Sequence, residues 1–253
     1  MDLLSYIQQA IAGPPGRSRR ICGCPDAAHP LVAAAVVAAA GPPVLLVARD
    51  NDRAERLAEE LGWWLGRDGR SADDVVLLPA FEADLYRGLS PHPRILAQRS
   101  QALWQLLDHP PVAVVTTPEC LLDRYPLPET YIARLLELRL HGEIPLPEIR
   151  RLLLAAGYTA EDPVTEPGEF AIRGGVLDVF SPQLAHPVRV EFFGDAVESL
   201  RAFDPDSQRS VRMLDAVTII PMTPGPAGPD YLSALAEAVA RRFGDAADPG
   251  ALA

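Results

Sequence analysis

The run Glu169-Phe170-Ala171-Ile172-Arg173-Gly174-Gly175-Val176-Leu177-Asp178-Val179-Phe180 reads as two short strands folded about a glycine pair. Side chains alternate between the faces of a strand, so Phe170 and Ile172 point one way and Glu169, Ala171 and Arg173 the other. Gly174-Gly175 supplies the two-residue turn that a tight hairpin needs. Downstream, Val188–Phe193 and Val197–Phe203 repeat the pattern about Gly194-Asp195, with Ser181-Pro182 turning the chain between the hairpins. Upstream, Pro147–Ala156 has helical spacing and stops at Gly157, a residue suited to the left-handed position beyond a helix end. The region is expected to be an α+β module with an antiparallel sheet.

Further toward the N-terminus the pattern changes. Arg20-Ile21-Cys22, Val44-Leu45-Leu46-Val47, Val75-Val76-Leu77-Leu78 and Val112-Ala113-Val114-Val115 read as buried parallel strands. Between them, Pro30–Ala40, Asn51–Leu65 and Arg94–Leu107 read as helices, the second capped by Asp50 or Asn51. Strands alternating with helices imply an α/β layer. After the hairpins, Val217-Thr218-Ile219-Ile220 reads as a buried strand, Pro221–Pro229 as a loop and Tyr231–Phe243 as a helix. The expected organisation is an α/β domain over residues 1–123, an inserted α+β domain over 124–214, and the α/β domain resumed over 215–253.

Bulk composition narrows the function. The 253 residues carry 23 Lys and Arg against 34 Asp and Glu, a net charge of -11. Such a surface repels phosphate at long range, so the chain is not expected to grip DNA by itself. Three cysteines, Cys22, Cys24 and Cys120, fit a reducing cytosol rather than a disulfide framework. Cys22 and Cys24 have no second ligand pair and are read as strand-end packing. No basic run leads into an apolar stretch, and the apolar run Leu31–Ala40 is too short to cross a bilayer. A cytoplasmic location is expected.

A strand running into a helix near residue 23 invites comparison with a phosphate loop, Gly followed by four residues and Gly-Lys-Ser/Thr. Here Gly23-Cys24-Pro25-Asp26-Ala27-Ala28-His29-Pro30 has the position without the chemistry. Ala28 stands for the second glycine, His29 for the lysine and Pro30 for the metal-binding hydroxyl. Pro25 and Pro30 lack amide donors, and Asp26 repels phosphate. No ATP site, no metal site and no catalytic residues are expected in this segment. The five histidines are isolated, and no Gly-x-Ser-x-Gly elbow is present.

Three stretches carry a resemblance. Leu78-Pro79-Ala80-Phe81-Glu82-Ala83-Asp84-Leu85-Tyr86, continuing through Ser90-Pro91 to Arg99, is the first. Gly157-Tyr158 with Val164–Phe180 is the second, and Pro187–Asp195 continuing to Ser210 is the third. Together they resemble the amino-terminal, UvrB-like region of the bacterial transcription-repair coupling factors and, more distantly, the excision nuclease subunit UvrB. The resemblance implies a RecA-like parallel-sheet domain with a degenerate phosphate loop, interrupted by an inserted α+β domain that docks UvrA. It further implies that a whole protein of this kind is an ATP-dependent DNA translocase. Such a protein would use ATP and Mg in motor domains absent here, and would engage RNA polymerase and double-stranded DNA.

The docking positions that the resemblance implies are Arg173, Arg189 and Phe193. Strand parity puts Val188, Val190 and Phe192 on the core side and Arg189, Glu191 and Phe193 outward. Arginine and aromatic side chains dominate interface hot spots. Periodicity alone equally allows solvated arginines paired with Glu169 and Glu191, and Phe193 packed under a helix. The alternative function is a UvrB-like module gripping damaged DNA, against which the net charge and the altered loop both speak.

Overall fold

A computed structural model describes residues 20–41, 43–67, 69, 71, 74–82, 91–225, 233, 237 and 241. The chain is mixed α/β and divides into two compact units, Met1–Arg124 and Tyr125–Ala253. Among the described residues no helix is long and apolar enough to cross a membrane. The Ala83–Tyr86 and Ser90 part of the first resemblance stretch lies outside the described residues, as does most of the helix read at Tyr231–Phe243.

The first unit is built on a three-stranded parallel sheet. Strands β1 (Val44–Val47), β2 (Val75–Leu78) and β3 (Ala113–Thr116) lie in the order β1-β3-β2. Helices α1 (His29–Ala40) and α2 (Asn51–Gly66) follow the chain order, and α3 (Pro93–Asp108) packs on β2. One core joins Ala33, Ala34 and Val37 of α1 with Leu57, Leu61 and Leu65 of α2, over Ala113 and Val115 of β3. Asp50 settles the capping choice for α2: its Oδ1 accepts from the Arg53 amide at 2.8 Å. That bond holds the Asp50 carboxyl below its usual range. Asn51 instead pairs its side-chain amide with the backbone of Ala80 on both edges, at 2.7 and 3.0 Å.

Two expectations fail at the start of this unit. Arg20-Ile21-Cys22 forms no strand, and Ile21 and Cys22 are exposed. Among the described residues they have no neighbouring strand, and a strand without one leaves its backbone groups unpaired. Cys22 and Cys24 therefore do not pack at a strand end.

The second unit begins with α4 (Pro128–Ile132), β4 (Leu136–Arg139) and α5 (Leu146–Ala155). Gly157 follows α5 with φ +88°, the left-handed position expected of it. Then come β5 (Thr159–Ala160), β6 (Glu169–Arg173), β7 (Val176–Val179), β8 (Val188–Phe193), β9 (Ala196–Phe203) and β10 (Ser210–Met213). They form a six-stranded sheet in the order β10-β9-β8-β7-β6-β5, antiparallel except for the β5–β6 pair. Its buried face holds Phe170, Leu177, Val179, Val188, Val190, Leu200 and Ala202.

The last described strand, β11 (Ala216–Ile219), departs from the expected organisation. It was assigned to the resumed α/β domain over 215–253, yet it pairs antiparallel with β4 inside the second unit, Leu136 opposite Ile219 and Arg139 opposite Ala216. Buried polar contacts explain the choice of partner. The Tyr158 hydroxyl donates to the Ile220 carbonyl at 2.6 Å, and the Ile220 amide donates to Ser181 Oγ at 3.0 Å. Gln183 Nε2 donates to the Thr218 carbonyl at 2.6 Å, and Arg134 Nη1 to the Thr223 carbonyl at 2.8 Å. Residues 216–223 are thus held within the second unit.

Candidate functional site

The β6–β7 turn fixes everything built on this sheet. Gly174 has φ +59°, a conformation that L side chains rarely adopt. A Cβ on Gly175 would sit 2.9 Å from the Phe192 carbonyl oxygen, so the turn also needs a bare second residue. The resulting register sets Arg173 opposite Val176 and Ala171 opposite Asp178. The next ladder sets Asp178 opposite Arg189 and Val176 opposite Glu191. In β9, Arg201 lies opposite Arg189 and Ser199 opposite Glu191. Paired residues share a face, so the outer side of the sheet carries Asp178, Arg189, Arg201, Arg173, Glu191 and Ser199 in two adjacent rows.

Strand parity places Arg189 and Phe193 on this same side, opposite the buried Val188, Val190 and Phe192. Phe193 is 77% exposed, so it is not packed under a helix. Arg173 is about half exposed, whereas Arg189 retains only 18% of its side-chain exposure. Ala171 behaves differently from expectation. Although parity turns it outward, it is buried against Val164 and Phe180, because the segment before β6 folds over it.

The arginines do not pair with Glu169 and Glu191. Both converge on Asp178, a carboxylate only 1% exposed. Arg189 meets it side-on, Nε to Oδ1 at 2.6 Å and Nη2 to Oδ2 at 2.7 Å. Arg173 Nη2 donates to the same Oδ2 at 2.5 Å, and its Nη1 reaches the exposed Asp162 at 2.9 Å. Arg189 Nη2 also donates to Gln208 Oε1 at 3.0 Å, and its guanidinium carbon lies 4.6 Å from the centre of the Phe203 ring. The carboxylate raises the pKa of Arg189 further, so this group stays a cation at any working pH. Among the described residues Arg189 Nη1 makes no hydrogen bond.

The acids that seemed natural partners have other duties. Glu191 accepts from Arg201 Nη2 at 2.5 Å and from Ser199 at 2.8 Å, and the guanidinium contact holds its carboxyl below the usual range. Glu169 Oε2 accepts the amides of Thr165 and Glu166 at 2.7 and 2.9 Å, fixing the turn before β6. Asp204 accepts the Ser207 amide and hydroxyl, both at 2.7 Å, and so shapes the β9–β10 turn that carries Gln208.

Residues 23–30 form the approach to α1. Gly23 has φ +74°, and residues Asp26–Ala28 form one 3-10 turn leading into α1. The Ala28 amide is spent on the Pro25 carbonyl at 2.8 Å. Arg53 reaches over from α2, donating to the Asp26 carbonyl at 2.9 Å and to His29 Nδ1 at 3.2 Å. Pro30 lies in the first turn of α1 and is buried. Beyond the C-terminal ends of β1–β3 opens a cleft of about 640 Å³, lined by Arg49 and by the acids Asp50, Glu82, Glu119 and Asp123. Ligands of open α/β sheets bind at such strand ends, but this lining repels a polyphosphate.

Arg99 of the first resemblance stretch has a structural task. It is 1% exposed, donates to the Pro79 carbonyl at 2.6 Å and to Asp123 at 2.7 Å, and lies 3.6 Å from the Phe81 ring centre. It ties the loop after β2 to the turn after β3. Among the described residues no group of three or more His, Cys, Asp or Glu could hold a metal ion.

Comparison with known proteins converges on the second unit. Residues 136–224 match the family described as UvrB interaction domain. A transcription-repair-coupling factor of Myxococcus xanthus is 36% identical over 81% of this chain, and one of Mycobacterium bovis is 34% identical over 84%. In each case the chain spans 17% of the relative's length. The UvrABC system protein B of Mycobacterium bovis is 32% identical over 61% of the chain and 22% of its own length. The matched segment begins with β4 and ends just past β11, the two strands that pair. Residues 136–224 thus match the UvrB interaction domain family, within a chain similar over four-fifths of its length to the transcription-repair-coupling factors.

Proposed function

We propose that this chain is a non-catalytic docking module that captures UvrA for transcription-coupled nucleotide-excision repair, through the outer face of β6–β9. One observation carries the reading. Phe193, 77% exposed, stands on the same face as two guanidiniums gathered on a single buried carboxylate, inside the segment of the UvrB interaction domain family. An exposed ring contributes apolar area that a partner pocket can desolvate, and fixed arginines supply directional donors for its carboxylates. Arg173, Arg189 and Phe193 are the proposed contact residues.

In the finer reading of the fold, the first unit is a RecA-like domain whose phosphate loop has lost its nucleotide chemistry. Ala28, His29 and Pro30 at the helix start, Arg53 bonded over the loop, and the acid-lined cleft support this. No cofactor is proposed for this segment. A whole protein containing it is proposed to be a cytoplasmic translocase that uses ATP and Mg on double-stranded DNA and displaces RNA polymerase.

Capture of purified UvrA by the immobilised chain is the direct test, and failure of the parent chain to retain it overturns the proposal. The similarity to UvrABC system protein B favours a second reading, a module contributing to a grip on damaged DNA. Filter binding at low salt separates the two. The net charge of -11 predicts no retention of duplex by the chain alone.

A further inference from the structure

Asp178 stands at the centre of the docking face without being able to touch a partner, since only 1% of it is exposed. Both of its oxygens are taken, Oδ1 by Arg189 Nε at 2.6 Å and Oδ2 by Arg189 Nη2 at 2.7 Å and Arg173 Nη2 at 2.5 Å. A single carboxylate thereby fixes two arginines that leave the sheet from β6 and β8, the strands flanking its own. We propose that Asp178 is the positioning residue of this face: it sets the rotamers of Arg189 and Arg173 before any partner arrives. The inference rests on the docking reading and names the group that makes it specific.

The physical case has two parts. Arginine has several rotatable bonds, and ordering such a side chain at the moment of association weakens binding. A bidentate carboxylate removes that loss in advance, because the planar fork is held in one orientation by two parallel bonds. The charges also matter. Asp178 and Asp162 balance the two guanidiniums in charge, so what the face offers is directed donors, foremost Arg189 Nη1, which makes no hydrogen bond among the described residues. Gln208 closes the arrangement from outside, in a left-handed backbone conformation at φ +58° that brings its Oε1 to Arg189. The complementary patch on the partner is accordingly an apolar pocket beside a carboxylate.

The test uses the full chain and purified UvrA, with titration calorimetry as the readout and circular dichroism to confirm folding. Asp178→Asn keeps the shape and removes the charge; it is expected to weaken UvrA binding by about tenfold or more. On an Arg189→Ala background the same substitution is expected to cost less than about threefold further, because its effect runs through that arginine. In nitrogen-resolved NMR of the free chain, the Arg189 Nε–Hε signal is expected to be sharp and protected in the parent and lost in the variant. A folded Asp178→Asn chain binding like the parent overturns the proposal, as do losses that simply add on the Arg189→Ala background. If the Asn variant does not fold, Asp178→Glu is read instead; it keeps the charge and displaces it, so unchanged binding again overturns the idea. A parent chain that ignores UvrA but shows the protected arginine signal sinks the docking reading, and the positioning role with it, while leaving the salt-bridge geometry intact.

Discussion

Replacing Phe193 by alanine isolates the docking face from the stability of the fold. The ring is 77% exposed, and its cross-strand neighbour is Ala196, so the free protein loses little when it goes. Surface changes of this kind alter stability by about 0.5 kcal/mol or less. Binding should respond differently. An aromatic side chain presents ~200 Å², of which the exposed share here is about 150 Å². At ~25 cal/mol per Å² its complete desolvation is worth at most about 4 kcal/mol. Alanine retains part of that area and the partner pocket relaxes, which leaves a loss of about 2–3 kcal/mol, the range of an interface hot spot. That corresponds to roughly 30- to 150-fold weaker binding. Titration calorimetry against UvrA, with thermal melting of both chains alongside, measures the two effects separately. An affinity unchanged within about twofold, in a variant that melts like its parent, refutes the reasoning.

Three further outcomes follow from named contacts. Arg189→Ala should weaken UvrA capture and also lower the melting temperature, because it leaves the buried Asp178 with Arg173 alone; a loss of about 1–3 kcal/mol in chemical denaturation is expected. Tyr158→Phe removes the donor to the Ile220 carbonyl and should cost about 1–2 kcal/mol by the same assay without altering UvrA binding; an unchanged midpoint would contradict the role given to that latch. Acid should also unfold the chain. Glu191, beside Arg201, and Asp50 and Asp204, each bonded to a backbone amide, all have carboxyl pKa values lowered in the fold. Their contribution is complete above the ordinary carboxylate range of ~4 and is lost as pH falls through the lower folded values. Melting temperature should therefore hold from neutral to about pH 5 and decline below it, and a rise on acidification would reverse the sign argued here.

Much of this architecture was legible because its signals are local. Alternation in Val188–Phe193 gives both faces of β8 correctly, and Asp50, Gly157 and Gly174-Gly175 mark boundaries through backbone geometry alone. The failures share a cause, which is dependence on a partner elsewhere in the chain. Strand β10 is exposed at all four positions, so no buried residue announces it. Residues 20–22 carry a strand-like composition but pair with no strand among the described residues. Strand β11 looks alike whichever sheet accepts it, and only the distant contacts to Tyr158, Ser181 and Gln183 decide. Asp178 was hidden for the same reason. Its place opposite Arg189 depends on the register of β7 against β8, which the intervening residues 180–187 do not reveal. A lone acid inside Val176-Leu177-Asp178-Val179 was nevertheless a usable clue, since a charge in the middle of an apolar strand demands a counterion.

The pairing of β4 with β11 has a mechanical consequence. Leu136, where the chain comes in, lies opposite Ile219, where it goes out, and the ladder ends at its fourth pair, Arg139 and Ala216. Hydrogen bonds in an antiparallel pair run across the strands. A pull on the two flanking segments is therefore directed along those bonds and peels them one after another, instead of shearing them together. Tension on the outgoing segment first meets the bonds of Thr223 to Arg134 and of Ile220 to Tyr158 and Ser181, and the four-pair ladder peels after them. Under load the join of β4 with β11, together with its latch at Arg134, Tyr158 and Ser181, is the seam that opens.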